Sequence, residues 1–577
     1  MIVTEKERDV FMTKEQLFKR FQTFYLENED IGMWLDFSRM NFTDEFMLKN
    51  TRRAERAIKA MQKIEKGAIA NISENRMVGH YWLRAPELAP TKEIENNIKK
   101  TIEDVKKFAD SVHQGQVKAP NGANFVNLLV IGIGGSILGP QFVAHALGDV
   151  ASDKMKPYFI DNTDPDGFDK ILKLLDNQLD RTLTVVISKS GKTAETRNAM
   201  AEVENAYKNK GLEFAKHAVA ITQMDDSSIL FKKASAENWL AIFPMWEWVG
   251  GRTSVTSAVG LLPAALQGIN IDEFLEGARR CDVWTREKDV RKNPASMLAL
   301  MWFYAGKGKG DKNMVILPYK DRLELFSRYL QQLVMESLGK EKERPKSEDD
   351  EGKIVYQGLT VYGNKGSTDQ HAYIQQLRDG RDDFFVTFIQ VLRERKSPLF
   401  YLKDDDELIK YCGTMPEVTS GDYLNGFFQG TREALYEKGR ESITITLKDV
   451  APMTVGALIA LFERAVGLYA EMININAYDQ PGVVAGKKGA RDVLVLQHRI
   501  LTFLRDKDRL EKPYTILEIA QGIITKEEME QGTKPEDMME DIYLICERLA
   551  ANPERHIEKI PSKVITATAF KALRYIE

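Results

Sequence analysis

The segment LTVVISKSGKTAET, residues 183–196, is an apolar run that ends in Ser188, Lys189, Ser190, Gly191, Lys192, Thr193 and Thr196. Hydroxyl and ammonium groups crowded into one turn that opens a helix put many donors in a small volume, which suits a terminal phosphate. A second turn follows another apolar run in FVNLLVIGIGGSILGP, residues 125–140, where Gly132, Gly134 and Gly135 precede Ser136. Neither turn fits a nucleotide fingerprint. Ile137 stands where the dinucleotide pattern needs its third glycine, and Val186 stands where a P-loop needs its first. Together the turns point to a compact phosphorylated metabolite.

Proton chemistry on such a ligand needs a base and a partner for the developing oxyanion. Glu336 lies in LELFSRYLQQLVMESLGK, where Leu323, Phe326, Leu330 and Leu333 mark a buried helical stripe and Gly339 is placed to end the helix. The spacing predicts Glu336 in the last turn. A carboxylate with a pKa of about 4.3 removes a carbon-bound proton when the developing oxyanion is stabilised. Arg252, behind Gly250 and Gly251, suits that task because a guanidinium keeps its charge at any working pH. His371 follows a Gly-Ser-Thr-Asp turn and exchanges protons near neutrality. Lys487 ends QPGVVAGK, whose Gly482 and Gly486 suggest a close-fitting loop.

These groups need a scaffold. FVNLLVIGI, PYFI, LTVVIS and AVAIT are strand-like and alternate with helical segments such as ETRNAMAEVENAYKNKG, the pattern of a parallel sheet covered by helices. NMVILPY, IVYQGLTVY, DDFFVTFIQVL and SITITL predict a second such unit. Ligands of open α/β sheets collect at the carboxyl ends of the strands, where both turns lie. Helical periodicity runs from Lys14 to about His113 and returns after Lys512. The expected organisation is a helical N-terminal region over 1–120 packing on the large domain, a first, small domain over 121–285, a second, large domain over 286–511, and a helical C-terminal extension over 512–577. The charged run EKERPKSEDDEGK, residues 341–353, reads as a solvated loop.

A chain of 577 residues exceeds one compact core, and 43% hydrophobic with 29% charged residues and a net charge of −4 describe an ordinary globular protein. No basic excess favours nucleic acid, and past Lys512 carboxylates outnumber Lys and Arg, which opposes duplex binding. No window reaches the roughly 18 uninterrupted apolar residues of a membrane span. The start MIVTEKERDVFMTKEQLF lacks the apolar core of a secretory signal. Cys281, Cys412 and Cys546 form no metal-ligand spacing and suit a reducing compartment. The expectation is a cytoplasmic protein with neither nucleic acid nor membrane as partner.

The two turns resemble the phosphosugar-binding loops of sugar isomerase domains, and the wider pattern resembles the glucose-6-phosphate isomerase (phosphoglucose isomerase) family over most of the chain. NISENRMVGHYWLR at 71–84, GIGGSILGP, SKSGKTAET, WVGGRTSVTSAVGL at 248–261, QQLVMESLGK at 331–340, GSTDQHAYIQQLRDG at 366–380 and DQPGVVAGK at 479–487 carry the likeness in family order. The resemblance implies an α/β fold with two sugar-isomerase-type parallel-sheet α/β/α sandwich domains. It also implies interconversion of glucose 6-phosphate and fructose 6-phosphate through ring opening and an enediol, a step of glycolysis and gluconeogenesis.

Carried over by motif, Glu336 is the proton-transferring base, Arg252 holds the enediolate oxygens, His371 opens the ring with Lys487 as its partner, and Gln480 contacts substrate. Ser136 with the backbone of Gly135, then Ser188, Lys189, Ser190 and Thr193, anchor the phosphate. The seven histidines show no paired metal-ligand spacing, and a route free of metal and cofactor is expected. A homodimer is implied, with His371 crossing to the neighbouring site. Leu338 replaces the family's common asparagine, Val484 its frequent glutamate, and Lys192 is a second lysine in the phosphate turn. Alternatives are a broader isomerase accepting mannose 6-phosphate, or a non-catalytic phosphosugar-binding regulator that keeps the serine turns.

Overall fold

Apolar strand runs bounded by glycine turns form two parallel cores. In the computed structural model the described residues are 12–345, 350–402 and 417–574. Cys412, the first eleven residues and part of the charged run, residues 346–349, lie outside them. The first sheet has five parallel strands in the order Lys156–Ile160, Asn127–Ile131, Thr182–Ile187, Ala218–Thr222 and Ala241–Pro244. Every residue of Asn127–Ile131 and Thr182–Ile187 is buried, as strands covered on both faces require. Both glycine–hydroxyl turns leave the carboxyl ends of these two adjacent strands.

The second sheet has the order Tyr25–Asn28, Met33–Asp36, Ser442–Leu447, Phe384–Val391, Asn313–Pro318 and Val361–Tyr362, and its last four strands are parallel. The N-terminal region is not helical throughout. Helix Lys14–Phe24 gives way to a hairpin, turned at Gly32 with φ of 74°, whose strand Met33–Asp36 pairs antiparallel with Ser442–Leu447. Pairing with a distant edge, with all four residues of Met33–Asp36 buried, overrides the local helical periodicity. IVYQGLTVY divides into two strands, and Ile354–Gln357 pairs with Lys340–Lys342 instead of joining the main sheet. The described part of the charged run is tied down, and Arg344 clasps Glu471 through two bonds of 2.7 and 2.8 Å.

Helix Pro452–Ile473 is long and apolar enough by composition to cross a membrane, but 94% of its apolar window is buried inside the protein. It packs against Ile271–Thr285, Pro294–Ala305 and Asp44–Glu65. Two charges on it are buried and matched. Arg84 binds Asp282 through Nε and Nη2 at 2.6 and 3.0 Å and also pairs with Glu463, while Arg464 bonds Glu65 at 2.7 Å and Asp282 at 3.1 Å. Burial pushes the Glu463 carboxyl up to about 7, with Arg84 pulling it back. Replacing Arg84 by Met leaves Asp282 and Glu463 short of a buried partner, and chemical denaturation is expected to show a loss of about 3–5 kcal/mol.

The structure divides into two compact units, Met1–Asp479 and Gln480–Glu577. This border precedes the expected one at 511/512 because Ile500, Phe503 and Leu504 of helix Pro481–Leu504 share a core with Ile516, Ile519, Ile542 and Phe570. The C-terminal extension, expected as helices alone, also carries a three-stranded antiparallel sheet in the order Tyr514–Thr515, Ala569–Ala572 and Ile557–Ile560. QPGVVAGK, expected as a close-fitting loop, opens helix Pro481–Leu504, and a Cβ on Gly482 or Gly486 would meet nothing within 4 Å. Proline at the first helical position presets the backbone for that start.

Candidate active site

Leu323, Phe326, Leu330 and Leu333 are all buried, as their spacing predicts. An α-turn over Phe326–Leu330 passes into a π-helical stretch over Gln331–Glu336, and Glu336 ends it. Widened turns of this kind are rare and are frequently found at functional sites. Ser337 and Leu338 follow, and Leu338 is fully buried in the apolar core, so that departure from the family pattern serves packing.

Arg252 sits in a short 3₁₀ turn, Gly251–Thr253, and is buried. Its Nε lies 3.2 Å from Glu336 Oε2. The other nitrogens donate to Ala477 O at 2.9 Å, Asp479 O at 3.1 Å and Ser337 Oγ at 3.4 Å. Burial pulls the Arg252 pKa below its ordinary value, and Glu336 and Asp479 pull it back. Glu336 Oε2 is itself buried and has no hydrogen bond of good geometry. The pair thus combines a partly satisfied carboxylate with a fixed positive charge.

The glycine turns close on this pair. A Cβ on Gly135 would lie 2.0 Å from the carbonyl oxygen of Gly251, so the two backbones touch where only glycine fits. Ser254 Oγ donates to Gly135 O at 3.3 Å. Gly134, with φ of 56°, lies against Gln332, one turn before Glu336. Ser136 ends the 3₁₀ turn Gly134–Ser136 ahead of helix Leu138–Leu147.

The second turn is tied in by Lys189, whose Nζ donates to Glu247 O at 3.1 Å and Val249 O at 3.5 Å, just ahead of Gly250. Ser188 Oγ accepts from Gly191 N and Ser190 Oγ accepts from Lys192 N, so the hydroxyl protons stay available to an anion. Thr193 caps helix Ala194–Asn209 without a side-chain bond to it. Burial first, then Arg76, push the Lys189 ammonium down to about 8 against Glu247 and Glu74. Lys192 is exposed.

His371 ends the 3₁₀ turn Thr368–His371 and is exposed. The turn is held by Asp369, whose Oδ2 accepts from Asn364 N and Lys365 N at 3.0 Å each and from Tyr373 Oη at 2.5 Å. Among the described residues no hydrogen bond or ion pair joins His371 to Arg252 or Glu336. Gln480 and Lys487 belong to the second compact unit. Within the first unit, Gly135 meets the Arg252 turn directly, and Lys189 ties the second turn to the segment that leads into it.

Two further residues join the site. Lys340 Nζ donates to Glu336 O at 2.8 Å and Asp479 O at 2.9 Å, and lies 3.4 Å from Asp479 Oδ1. Both residues lie inside the quoted motifs, but a lysine is ordinarily a surface residue and nothing in the spacing marks this one as buried.

Comparison with known proteins gives the same picture. The family model described as "Phosphoglucose isomerase" matches residues 36–501. The chain is 55% identical to the glucose-6-phosphate isomerase of Geotalea daltonii, over 95% of this chain and 97% of that one. It is 53% identical to that of Geobacter sulfurreducens, over 97% and 100%. It is 52% identical to the chloroplastic glucose-6-phosphate isomerase 1 of Arabidopsis thaliana, over 95% and 85%. The crystal structure of a glucose-6-phosphate isomerase from Chlamydia trachomatis superposes with a TM-score of 0.72 at 26% identity, covering 83% of this chain and 91% of that one. With a family model matching residues 36–501 and relatives above half identity across nearly the whole length, the chain belongs to the phosphoglucose isomerase family.

Proposed function

We propose that the site at Arg252 and Glu336 is where this chain interconverts glucose 6-phosphate and fructose 6-phosphate, the reaction of glycolysis and gluconeogenesis for which its relatives are named. The observation that carries the assignment is the buried Arg252–Glu336 pair set against two donor-rich turns at adjacent strand ends. The phosphate takes the hydroxyls of Ser136, Ser188, Ser190 and Thr193, the Gly135 backbone and the Lys189 ammonium. Binding energy from this remote dianion holds the reacting carbons against Glu336.

His371, with Lys487 as its partner, moves the protons that open the ring. Glu336 takes the proton from C2 and returns it to C1, and Arg252 carries the charge that develops on the enediolate oxygens. Gln480 and Lys487 are assigned by their motif. The exposure of His371 supports delivery to the site of a second copy, hence a homodimer. The free thiols Cys281 and Cys546 support a reducing, cytoplasmic setting. A protein partner suits the extension better than a nucleic acid, because the exposed face of helix Met539–Ala550 opens with Glu540 and Asp541. A non-catalytic regulator needs neither the base nor its guanidinium, and both are in place.

The test is to incubate the purified chain with fructose 6-phosphate in deuterated water and follow product and label by NMR. Glucose 6-phosphate with partial deuterium at C2 is expected. Unchanged fructose 6-phosphate would remove the assignment. A second expectation concerns pH. Lys189 loses its charge above about 8, and its attraction for the dianion goes with it, so kcat/KM falls as pH rises past that value. In Lys189→Met, kcat/KM is lower throughout and this alkaline limb is absent.

A further inference from the structure

We propose that Lys340, acting through Asp479, is a positioning residue for the isomerase reaction, locking the backbone under the base to the segment that Arg252 grips. The inference rests on the function assigned above.

Lys340 opens the strand Lys340–Lys342 and is 8% exposed. The ammonium donates to two carbonyl oxygens, Glu336 O and Asp479 O, and forms an ion pair with Asp479 Oδ1 at 3.4 Å. Glu336 O is a carbonyl of the last helical turn, which has no partner within the helix, so Lys340 caps the residue that bears the base. Asp479 O is also the acceptor of Arg252 Nη2. One carbonyl oxygen thus receives both cations, one holding the main chain of Glu336 and the other facing its carboxylate.

Asp479 is fixed in turn. Its Oδ2 accepts from Ser73 Oγ at 2.8 Å and Asn476 Nδ2 at 2.9 Å, while Oδ1 is buried with Lys340 as its ion-pair partner. A buried charge, even hydrogen-bonded and paired, costs desolvation that a surface lysine avoids. Its return is geometry: a displacement of about 1 Å between base and substrate costs about 10²-fold in rate.

The experiment compares wild type, Lys340→Met and Lys340→Cys on glucose 6-phosphate with hydrogen or deuterium at C2. Lys340→Met is expected to lose about 10- to 100-fold in kcat, with KM within about 3-fold and a larger primary isotope effect, because a misplaced base slows proton transfer itself. Treating Lys340→Cys with bromoethylamine rebuilds an ammonium of nearly the same reach and is expected to restore kcat and the isotope effect toward wild type, with treated wild type as the control. A kcat within twofold of wild type in Lys340→Met overturns the proposal. So does a loss of kcat with the isotope effect unchanged, which marks fewer folded molecules. An inactive wild type defeats the functional assignment instead, which separates the two failures.

Discussion

Glu336→Gln is expected to lose about 10²- to 10⁴-fold in kcat, the contribution of a well-placed general base, while the affinity for fructose 6-phosphate stays within about 3-fold. The substitution preserves shape. Arg252 keeps its bonds to Ala477 O and Asp479 O, and Lys340 keeps its bond to the residue's carbonyl, so the pocket holds its form while its proton acceptor is lost. The phosphate contacts proposed for the two glycine turns are untouched. Calorimetry measures binding, and deuterium at C2 measures proton transfer. Activity within tenfold of wild type would take Glu336 out of the mechanism.

Arg252 is the second position of large effect. Arg252→Met removes the charge that faces the developing enediolate, a contribution of about 10²- to 10³-fold in kcat where a preorganised donor is deleted. It also removes the Arg252 donor from Ala477 O, leaves Asp479 O with Lys340 alone, and takes the ion-pair partner from the Glu336 carboxylate. Arg252→Lys is expected to recover little. The guanidinium reaches Glu336, Ser337, Ala477 and Asp479 through three nitrogens in a rigid plane, and a single ammonium cannot span that fan. A planar hydroxamate analogue of the enediolate separates the effects. Its affinity should fall in step with kcat/KM across the Arg252 variants, while inorganic phosphate binds nearly as before. Equal affinity for the hydroxamate in wild type and Arg252→Met would mean that Arg252 is structural.

Local patterns were most legible where the chemistry is local. The stripe Leu323, Phe326, Leu330 and Leu333 is buried and places Glu336 in the last turn. Thr193 starts the helix Ala194–Asn209, and the hydroxyl turns lie at strand ends, because an apolar run followed by glycine and serine has few other ways to satisfy its backbone. Other features were hidden. The segment Tyr25–Asp36 becomes a hairpin because Ser442–Leu447, far along the chain, offers an edge. The start of helix Pro481–Leu504 carries glycines that suggest a loop, yet its proline and the core built on Ile500, Phe503 and Leu504 make it helical.

Residue types and the order of the motifs by themselves pointed to the reaction and named its candidates: donors for a phosphate, one base, one fixed cation and one titratable ring. Tertiary structure decided which of these meet. It set the carbonyl of Gly251 against Gly135, brought Arg252 to 3.2 Å from Glu336, and enlisted Lys340 and Asp479. The reason is physical. Periodicity and turn chemistry act over a few residues, whereas the position of a buried charge depends on acceptors that the folded chain brings from distant segments.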